Sequence, residues 1–406
     1  MKKILLVSSK YMPEYSGSGF RAHNLYRRLS AKFPTDISFN VIAGSTEFNE
    51  NISYEYDGAN VNRIACKPYP QLAGGLIRHY QIIRNFQMEY SRAWDFLCKL
   101  PEKPDLIHIF GKCYVAAAAW KFCAQHHIPV IIELCNEMNS PFQYVPTPFK
   151  IFFNHRLPEK YLFVAISESL RQVCLRNGIP DSKIWCRPNP VDNTVFYPVN
   201  KNEKIKIRRQ ITKFKEDNIT LTAYVAKFRT SKNHIFLLDV MKRLPDRFKL
   251  FMKGPLVENG PAAEHDRTLF NKIAARITEL GLDDRVELKA GFCSNIADYY
   301  RMTDIYLFPS INEGLGTPVL ESIASGTPVV ANTIPQVTNM LINDGENGFL
   351  SKLNPDEFAE KILLAEKITL ENMKTESDKI ITRAGCDVID NTYHEQIMRL
   401  TSNNDN

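Results

Sequence analysis

The sequence predicts an α/β protein with two doubly wound parallel sheets that face a central cleft. Short apolar segments alternate with longer amphipathic segments from the first residue onward, a pattern typical of repeated βα units. The alternation is interrupted at residues 187–198, which are rich in Pro and Asn, and then begins again. A length of 406 residues also exceeds what one ordinary core holds. We therefore expect one domain over residues 1–195 and a second over residues 196–385.

The first half contains a series of predicted strands, each a short segment rich in Ile, Leu and Val, with helical periodicity between most of them. The first is a buried strand and not a secretory signal, because only four consecutive apolar residues lead to Ser8. No apolar segment approaches the roughly 20 residues that span a bilayer. The predicted strands are residues 4–8, 37–43, 61–66, 105–110, 130–135, 162–166 and 184–187.

The second half repeats this pattern of strands and intervening helices. In doubly wound sheets, ligands bind outside the carboxyl ends of the strands. We therefore expect the functional residues of both halves in loops that follow strands, with the cleft between the domains as the binding site. The predicted strands are residues 220–226, 249–253, 286–289, 305–308 and 328–331.

The composition is that of an ordinary globular protein, with 44% apolar and 24% charged residues, and it excludes a disordered, collagen-like or coiled-coil chain. A formal net charge of +6 is modest for this length and does not indicate a nucleic-acid partner. Nine cysteines without a Cys-x-x-Cys pair argue against a disulfide framework and a zinc site, so we expect a cytoplasmic protein. Because no Asp-x-Asp pair is present, we also expect no metal ion.

The most informative segment is residues 304–331, which has the pattern of a strand, a glycine-bearing loop, a helix and a second strand. Thr317 suits the N-cap of this helix, Pro318 its first position and Gly326 its end. The backbone N–H groups of Gly316 and Thr317, together with the helix dipole, then form an anion site suited to a phosphate.

Two carboxylates accompany this predicted phosphate site. Glu313 precedes the loop, and Glu321 lies in the predicted first turn of the helix. A carboxylate accepts hydrogen bonds from two vicinal hydroxyls, so one Glu could hold a sugar while the other holds a ribose. Each Glu alone also fits a structural role, since Glu321 would complement a helix N-terminus and Glu313 would be solvated in a loop. Only the complete set favours a ligand site.

This segment resembles the signature of the retaining glycosyltransferases of family 4, which have the GT-B fold of two Rossmann-like domains. The resemblance lies in two Glu separated by seven residues, the first of them within Pro-Ser-Ile-Asn-Glu-Gly-Leu-Gly at residues 309–316. Other segments are similar to those of the family in the same order along the chain. They are residues 11–19, 163–170, 187–198 and, almost continuously, 286–331.

The resemblance implies transfer of a sugar, with retention of configuration, from a nucleoside-diphosphate sugar to an acceptor hydroxyl of a glycan or lipid-linked acceptor, in cell-surface glycan or glycolipid synthesis. No other cofactor is implied, and UDP is slightly preferred to GDP. The donor would bind mainly to the second domain and the acceptor mainly to the first. The last helix, about residues 386–400, would pack back onto the first domain.

The resemblance also implies roles for individual residues in the donor site. Glu313 would bind the hydroxyls of the donor sugar, and Glu321 the ribose of the nucleotide. Phe292 falls where the family holds the nucleobase. The backbone that would bind the sugar and phosphates belongs to Gly314, Leu315, Gly316 and Thr317.

Two lysines are expected to stabilise the departing diphosphate. Lys227 and Lys232 follow a predicted strand, and an ammonium about 4 Å from a phosphate charge is worth roughly 4 kcal/mol at an effective dielectric constant of about 20. An exposed helix end supplies only about 0.3 to 1 kcal/mol. The usual family pattern is Gly-Arg, so Lys227 lacks the forked guanidinium, for which Arg229 is a substitute candidate.

The first domain is also expected to contribute a glycine loop to the donor site. Gly17, Ser18 and Gly19 follow strand one and precede a helix expected over residues 20–31, and Arg21 is a further candidate for contact with the donor.

The predicted acceptor side lies at the ends of two further strands of the first domain. Family members often carry a histidine at the end of each of these two strands, where this chain has Phe110 and Cys135. His108 alternates with apolar residues and is therefore interpreted as a core histidine. The remaining polar candidates, which fit loop capping equally well, are Lys112, Asn136 and Glu137.

Basic and aromatic residues cluster in the first domain. Residues 1–32 hold seven Lys or Arg against one Glu, and residues 76–99 mix basic and aromatic side chains. These clusters fit either a peripheral membrane contact through this domain or ordinary solvated helix faces. Two other functions stay open for the whole chain: a GT-B sugar-nucleotide epimerase and a non-catalytic nucleotide-sugar-binding partner subunit.

Overall fold

The computed structural model describes residues 1–14, 16–67, 75–111, 113–135, 140–141, 157–256, 261–293 and 295–402. The chain divides into two compact units. Unit 1 comprises Met1–Arg187 together with Ile389–Asn406, and unit 2 comprises Pro188–Val388. Both units are α/β, which confirms the predicted fold class.

The described residues of unit 1 form an eight-stranded sheet in the order β3-β4-β2-β1-β5-β6-β7-β8, and among these strands only the β3–β4 pairing is antiparallel. The central strands are buried along their whole length, because helices cover both faces of a parallel sheet. The strands are β1 Lys2–Ser8, β2 Ile37–Ser45, β3 Ile52–Tyr56, β4 Ala59–Ala65, β5 Leu106–Phe110, β6 Val130–Leu134, β7 Tyr161–Ala165 and β8 Ile184–Cys186. The helices are α1 Gly17–Lys32, α2 Gly75–Cys98, α3 Tyr114–His126 and α4 Glu168–Arg176.

Strand β3 is absent from the sequence prediction. It is an edge strand of sequence Ile-Ser-Tyr-Glu-Tyr in which half-buried and exposed residues alternate, so it lacks the apolar run of the central strands. Asp57 and Gly58 connect it to β4 with φ of 49° and 78°. Positive φ at both positions and an Asp-Gly sequence are typical of a tight β-hairpin turn, and this dipeptide is the sequence signal that the prediction overlooked.

In unit 2, the part of the chain that the structure describes contains a six-stranded parallel sheet in the order β11-β10-β9-β12-β13-β14. Strand order reverses between the neighbours β9 and β12, since later strands extend the sheet in opposite directions from this pair. The strands are β9 Thr220–Val225, β10 Phe248–Gly254, β11 Val286–Ala290, β12 Ile305–Phe308, β13 Val329–Asn332 and β14 Gly348–Ser351, of which β14 was not predicted. The helices are α5 Lys201–Ile211, α6 His234–Met241, α7 Pro261–Glu279, α8 Ile296–Arg301, α9 Thr317–Ala324, α10 Pro355–Ala365 and α11 Leu370–Ala384.

The last helix, α12 (Cys386–Thr401), packs against the sheet of unit 1. Its apolar residues recur at helical spacing and join the core that contains β1. Asp390 accepts two hydrogen bonds from Arg28 at 2.7 and 2.9 Å, and this bidentate geometry fixes the helix against α1. The core residues of α12 are Ile389, Tyr393, Ile397 and Leu400.

A buried polar network joins α12 to the middle of the same sheet. Glu133 on β6 accepts hydrogen bonds from Arg187 at 3.1 Å and from the Tyr393 hydroxyl, and its carboxylate is 3.3 Å from His108. His108 is fully buried and also contacts the Tyr26 hydroxyl at 2.9 Å, which is the core position predicted for it. Burial alone would raise the pKa of Glu133, but Arg187 and His108 hold it at about 2.

We predict that Glu133→Gln lowers the free energy of unfolding by about 3 to 5 kcal/mol, because it leaves the Arg187 charge buried without a counter-ion. The measurement is chemical denaturation near pH 7. Since the pKa of Glu133 is depressed, its contribution is present above about pH 4.5 and falls as the pH approaches 2, so the two proteins should converge in acid. Glu102→Gln is the control, because that residue pairs with Lys3 at the surface; equal losses would contradict the prediction.

Candidate functional site

The predicted donor residues of unit 2 come together at the carboxyl ends of β9 and β12. Lys232 follows β9 and forms an ion pair with Glu313, which follows β12. The Lys232 side chain is 24% exposed and the Glu313 side chain is 15% exposed. A ligand can therefore reach the pair, although most of its surface is shielded from bulk water. The Ile311 backbone N–H donates to the Ser231 carbonyl at 2.9 Å and ties the two loops together. Ligands of doubly wound sheets bind where the strand order reverses, which in unit 2 is between β9 and β12.

Local backbone geometry places Lys232 at this point. Residues Thr230–Lys232 form a 3₁₀ turn, and Asn233 follows in the left-handed region with φ of 55° before α6 begins at His234. Asn tolerates this conformation better than most residues. The turn and the left-handed residue together reverse the chain so that Lys232 lies beside the loop after β12.

Positive charge is concentrated after β9. Partial desolvation lowers the pKa of Lys227, the charges of Arg229 and Lys232 lower it further, and Asp266 opposes them. The short connection that follows β9 therefore carries three cations: Lys227, Arg229 and Lys232. Gly254 ends the adjacent strand β10, where a Cβ would lie 1.8 Å from the Ala226 carbonyl oxygen, so only glycine permits this packing.

The loop that carries Glu313 is fixed by buried hydrogen bonds. Ser310 is fully buried, its hydroxyl is 3.1 Å from that of Tyr224, and its carbonyl accepts from the Asn332 side chain at 2.9 Å. The Tyr306 hydroxyl on β12 contacts the Val225 backbone at 3.2 and 3.3 Å. The path of the chain between β12 and Glu313 is therefore held from both neighbouring strands.

Helix α9 begins one residue away from the predicted arrangement. Its N-cap is Gly316, which has φ of 80°, and Thr317 is already helical, so the prediction of Thr317 as N-cap is wrong. Glycine takes this position because a side chain strains a left-handed backbone. Glu321 is consequently beyond the first turn, which contains no acidic residue. The interpretation of Glu321 as a partner of the helix N-terminus is therefore not supported.

Two residues outside the predicted site contact its members. Asn189 donates from its side chain to the Thr317 hydroxyl at 2.8 Å, and the Tyr300 hydroxyl donates to Glu321 Oε2 at 2.8 Å. Burial raises the pKa of Glu321 to about 7, and the hydrogen bond from Tyr300 opposes this rise. Sequence reasoning missed both residues because Asn189 lies in the Pro-rich segment assigned to the domain boundary and Tyr300 lies on a separate helix.

The remaining donor residues lie at the same edge of the sheet. Leu315 is nearly buried, and Gly314 lies between it and Glu313. Phe292 follows β11 after Gly291, whose φ is 128°, and its side chain is 70% exposed. Because parallel strands end at one edge, Phe292 is on the side of the sheet that carries Lys232 and Glu313.

In unit 1, the predicted glycine loop is the first turn of α1. Ser16 is the N-cap and accepts a hydrogen bond from the Gly19 N–H at 3.0 Å, so the helix includes Gly17, Ser18 and Gly19 and does not begin at residue 20 as predicted. Arg21 donates to the Gly17 carbonyl at 3.4 Å. Three acceptor-side candidates lie outside the described residues: Lys112, Asn136 and Glu137.

The described residues contain neither a cluster of potential metal ligands nor a helix suited to a bilayer. Among them, no group of three or more His, Cys, Asp or Glu side chains is placed to hold a metal ion. Within the same part of the chain, no helix combines the length and apolar character needed to cross a membrane.

Residues 203–384 match the model of the family described as glycosyl transferases group 1. The chain is 31% identical over 192 residues to D-inositol 3-phosphate glycosyltransferase of Stackebrandtia nassauensis, covering 45% of this chain and 40% of that protein. It is 28% identical over 364 residues to an uncharacterized glycosyltransferase of Methanocaldococcus jannaschii, covering 88% and 87%. The chain spans between 21% and 48% of the length of seven of the curated relatives that it matches, among them the protein of Stackebrandtia nassauensis.

Solved structures with the same architecture cover nearly the whole chain. Anabaena HepE in complex with UDP and glucose superposes with a TM-score of 0.72 at 16% identity, covering 98% of this chain and 100% of that one. Sucrose-phosphate synthase from Thermosynechococcus elongatus has a TM-score of 0.72 at 16% identity, covering 98% and 99%. The fold is therefore GT-B. The family model and the curated relatives support the similarity of this chain to glycosyl transferases group 1.

We predict that Gly19→Ala lowers the free energy of unfolding by about 1 to 3 kcal/mol, because the new Cβ would lie 2.3 Å from the Lys10 carbonyl oxygen. Gly17→Ala is the matched control in the same helical turn, where a Cβ meets nothing within 4 Å. Alanine there should be neutral or stabilising by up to about 1 kcal/mol. Chemical denaturation of both variants measures this difference, and similar losses would show that the close approach at Gly19 is unimportant.

Proposed function

We propose that this protein is a retaining glycosyltransferase that moves a sugar from a nucleoside-diphosphate sugar to an acceptor hydroxyl. One observation carries the proposal: Lys232 and Glu313 meet from the ends of β9 and β12, where strand order reverses in a unit that matches glycosyl transferases group 1. An ammonium and a carboxylate at one point suit a ligand that joins a phosphate to a polyhydroxylated ring.

In this proposal, the two charges exchange partners when the donor binds. Lys232 turns from Glu313 to the diphosphate, and the released carboxylate accepts hydrogen bonds from hydroxyls of the donor sugar. Lys227, and Arg229 beside it, add positive charge to the same loop. An ammonium about 4 Å from the developing charge contributes roughly 4 kcal/mol at an effective dielectric constant of about 20, more than the N-terminus of α9 supplies.

Retention follows if the acceptor attacks the face that the leaving group vacates. The departing phosphate then takes the acceptor proton, the C–O bond to the phosphate breaks, and the bond to the acceptor oxygen forms on the same face. No protein nucleophile is required. We propose that transfer is metal-independent, with Lys232 and Lys227 neutralising the charge that leaves with the nucleotide.

The nucleotide would extend from the diphosphate toward Phe292 and Glu321. Glu321 would accept from the ribose hydroxyls, and the backbone from Gly314 to Thr317 would bind the sugar and phosphates. UDP remains the preferred nucleotide. Anabaena HepE, which shares the fold, has been solved with UDP and with UDP-glucose.

We further propose a glycan or lipid-linked acceptor and a peripheral membrane contact through α2. The first turns of this helix present Leu76, Ile77 and Tyr80 to solvent, with exposed fractions of 89%, 65% and 65%. Arg78 lies between Ile77 and Tyr80, and Arg84 follows about one turn later on the same helix. Exposed apolar side chains beside basic ones are typical of helices that lie on an anionic bilayer.

We predict that nucleotide sugars raise the melting temperature of the protein, as mass action requires of any ligand that binds only the folded state. A panel of UDP- and GDP-sugars, with UDP and GDP alone, measures this in a thermal-shift assay. Lys232→Met should weaken all of these ligands about 10- to 100-fold, because it removes a charged donor to phosphate. Glu313→Gln should weaken only the sugar-bearing ligands, by about tenfold, and should reduce sugar transfer about 100-fold.

Exposed residues of unit 2 provide the controls. Lys242→Met at the end of α6 and Glu279→Gln on the surface of α7 should leave every shift unchanged. Nucleotide-dependent shifts without any sugar transfer would favour the non-catalytic nucleotide-sugar-binding partner subunit, and absence of every shift would contradict the donor site itself. Nucleotide release without an acceptor would favour a sugar-nucleotide epimerase, which frees the nucleotide by elimination.

We predict that the protein sediments with vesicles containing anionic phospholipid and that Leu76→Ser with Ile77→Ser reduces the bound fraction at least about fivefold. Val195→Ser with Met340→Ser is the control, because these side chains are also exposed but belong to unit 2. Equal binding of both double variants would exclude α2 as the membrane contact.

A further inference from the structure

Tyr300 is a buried tyrosine whose hydroxyl is directed at the candidate ribose carboxylate. It lies on α8, is 1% exposed, and donates to Glu321 Oε2 at 2.8 Å. Glu321 keeps part of its surface exposed. The carboxylate is therefore held from the protein interior while the residue still reaches solvent.

The surroundings of Tyr300 fix its orientation. Its ring packs edge-on against Tyr306 with centroids 5.0 Å apart, and lies 6.2 Å from the ring of Phe196. Its carbonyl accepts from the Thr327 hydroxyl at 2.9 Å. A phenol locked on both the ring and the backbone can direct a single hydrogen bond at small entropic cost.

The electrostatic surroundings of Glu321 make this hydrogen bond important. Two buried phenols interact electrostatically with Glu321: Tyr300 from α8 and Tyr306 from β12. Burial raises the pKa of both phenols, so both are neutral near pH 7. Burial also raises the pKa of Glu321 to about 7, with the Tyr300 hydrogen bond as the opposing interaction.

We propose that Tyr300 is a positioning residue that keeps Glu321 ionised and oriented toward the vicinal hydroxyls of the nucleotide ribose. This inference rests on the proposed function, which assigns the ribose to Glu321. The Tyr300 hydroxyl donates to Oε2 and occupies one lone pair of the carboxylate. An ionised carboxylate still has lone pairs that can accept hydrogen bonds from two ligand hydroxyls. A protonated carboxyl group loses one acceptor site and binds the diol less well.

The test compares Tyr300→Phe with Tyr299→Phe, a matched control on the same helix whose hydroxyl contacts Lys253 at 3.0 Å and not Glu321. Titration calorimetry from pH 6 to 9 measures the affinity for UDP and for 2′,3′-dideoxy-UDP, or for the guanine pair if the panel above selects GDP. The ratio of the two affinities isolates the ribose hydroxyls, because titration of the phosphates affects both ligands alike.

For Tyr300→Phe we expect the ratio at pH 7 to fall about tenfold and the pH at which it is half-maximal to rise by about one unit. The sign follows because a hydrogen bond to the charged form lowers a pKa, so its removal raises that pKa. Near pH 9 the ratio should recover, which also shows that the variant is folded. Tyr299→Phe should match the wild-type protein throughout.

Two outcomes separate this inference from the assignment beneath it. Glu321→Gln should abolish the pH dependence of the ratio. If it leaves the ratio unchanged, the ribose assignment fails and the role of Tyr300 fails with it. If Glu321→Gln lowers the ratio but Tyr300→Phe gives the wild-type pH profile, only the positioning role of Tyr300 is overturned.

Discussion

The ion pair between Lys232 and Glu313 depends on one topological constraint, the adjacency of β9 and β12. These strands are far apart in sequence and become neighbours because the sheet of unit 2 grows in opposite directions from them. Both connections at their carboxyl ends must then occupy the same space, and opposite charges there stabilise the arrangement. The buried hydroxyl of Ser310 and the left-handed backbone of Asn233 serve this contact by fixing the two loops.

Charge is divided between the two sides of this point. The β9 side carries three cations within a few residues, and the β12 side leads to two carboxylates separated by the start of α9. The cations suit phosphate oxygens and the carboxylates suit hydroxyls. The pKa of Glu321 near 7 contrasts with that of Glu133, which burial alone would also raise but which Arg187 and His108 hold at about 2. The two pKa values differ because Glu133 has a cationic partner, Arg187.

Unit 1 uses its buried charges for structure. Glu133, Arg187 and Tyr393 link β6, the end of β8 and α12, so the last helix is bound to the unit in which the chain begins. By sequence position alone, Glu133 is a candidate general base, because it lies near the carboxyl end of a central strand. Its full set of partners and its burial assign it to the core of unit 1.

The sequence alone determined the fold class, most of the strands and the family resemblance, because apolar alternation and glycine and proline positions are local signals. It also identified Glu313 and Glu321 through their spacing and Lys232 through its position after a predicted strand. Tertiary structure decided the partners: Tyr300 and Asn189 reach Glu321 and Thr317 from separate elements, and no local pattern marks such a contact. It likewise decided the start of α9 at Gly316 and the place of Gly17 to Gly19 inside α1, because helix ends depend on capping geometry that several nearby residues can satisfy.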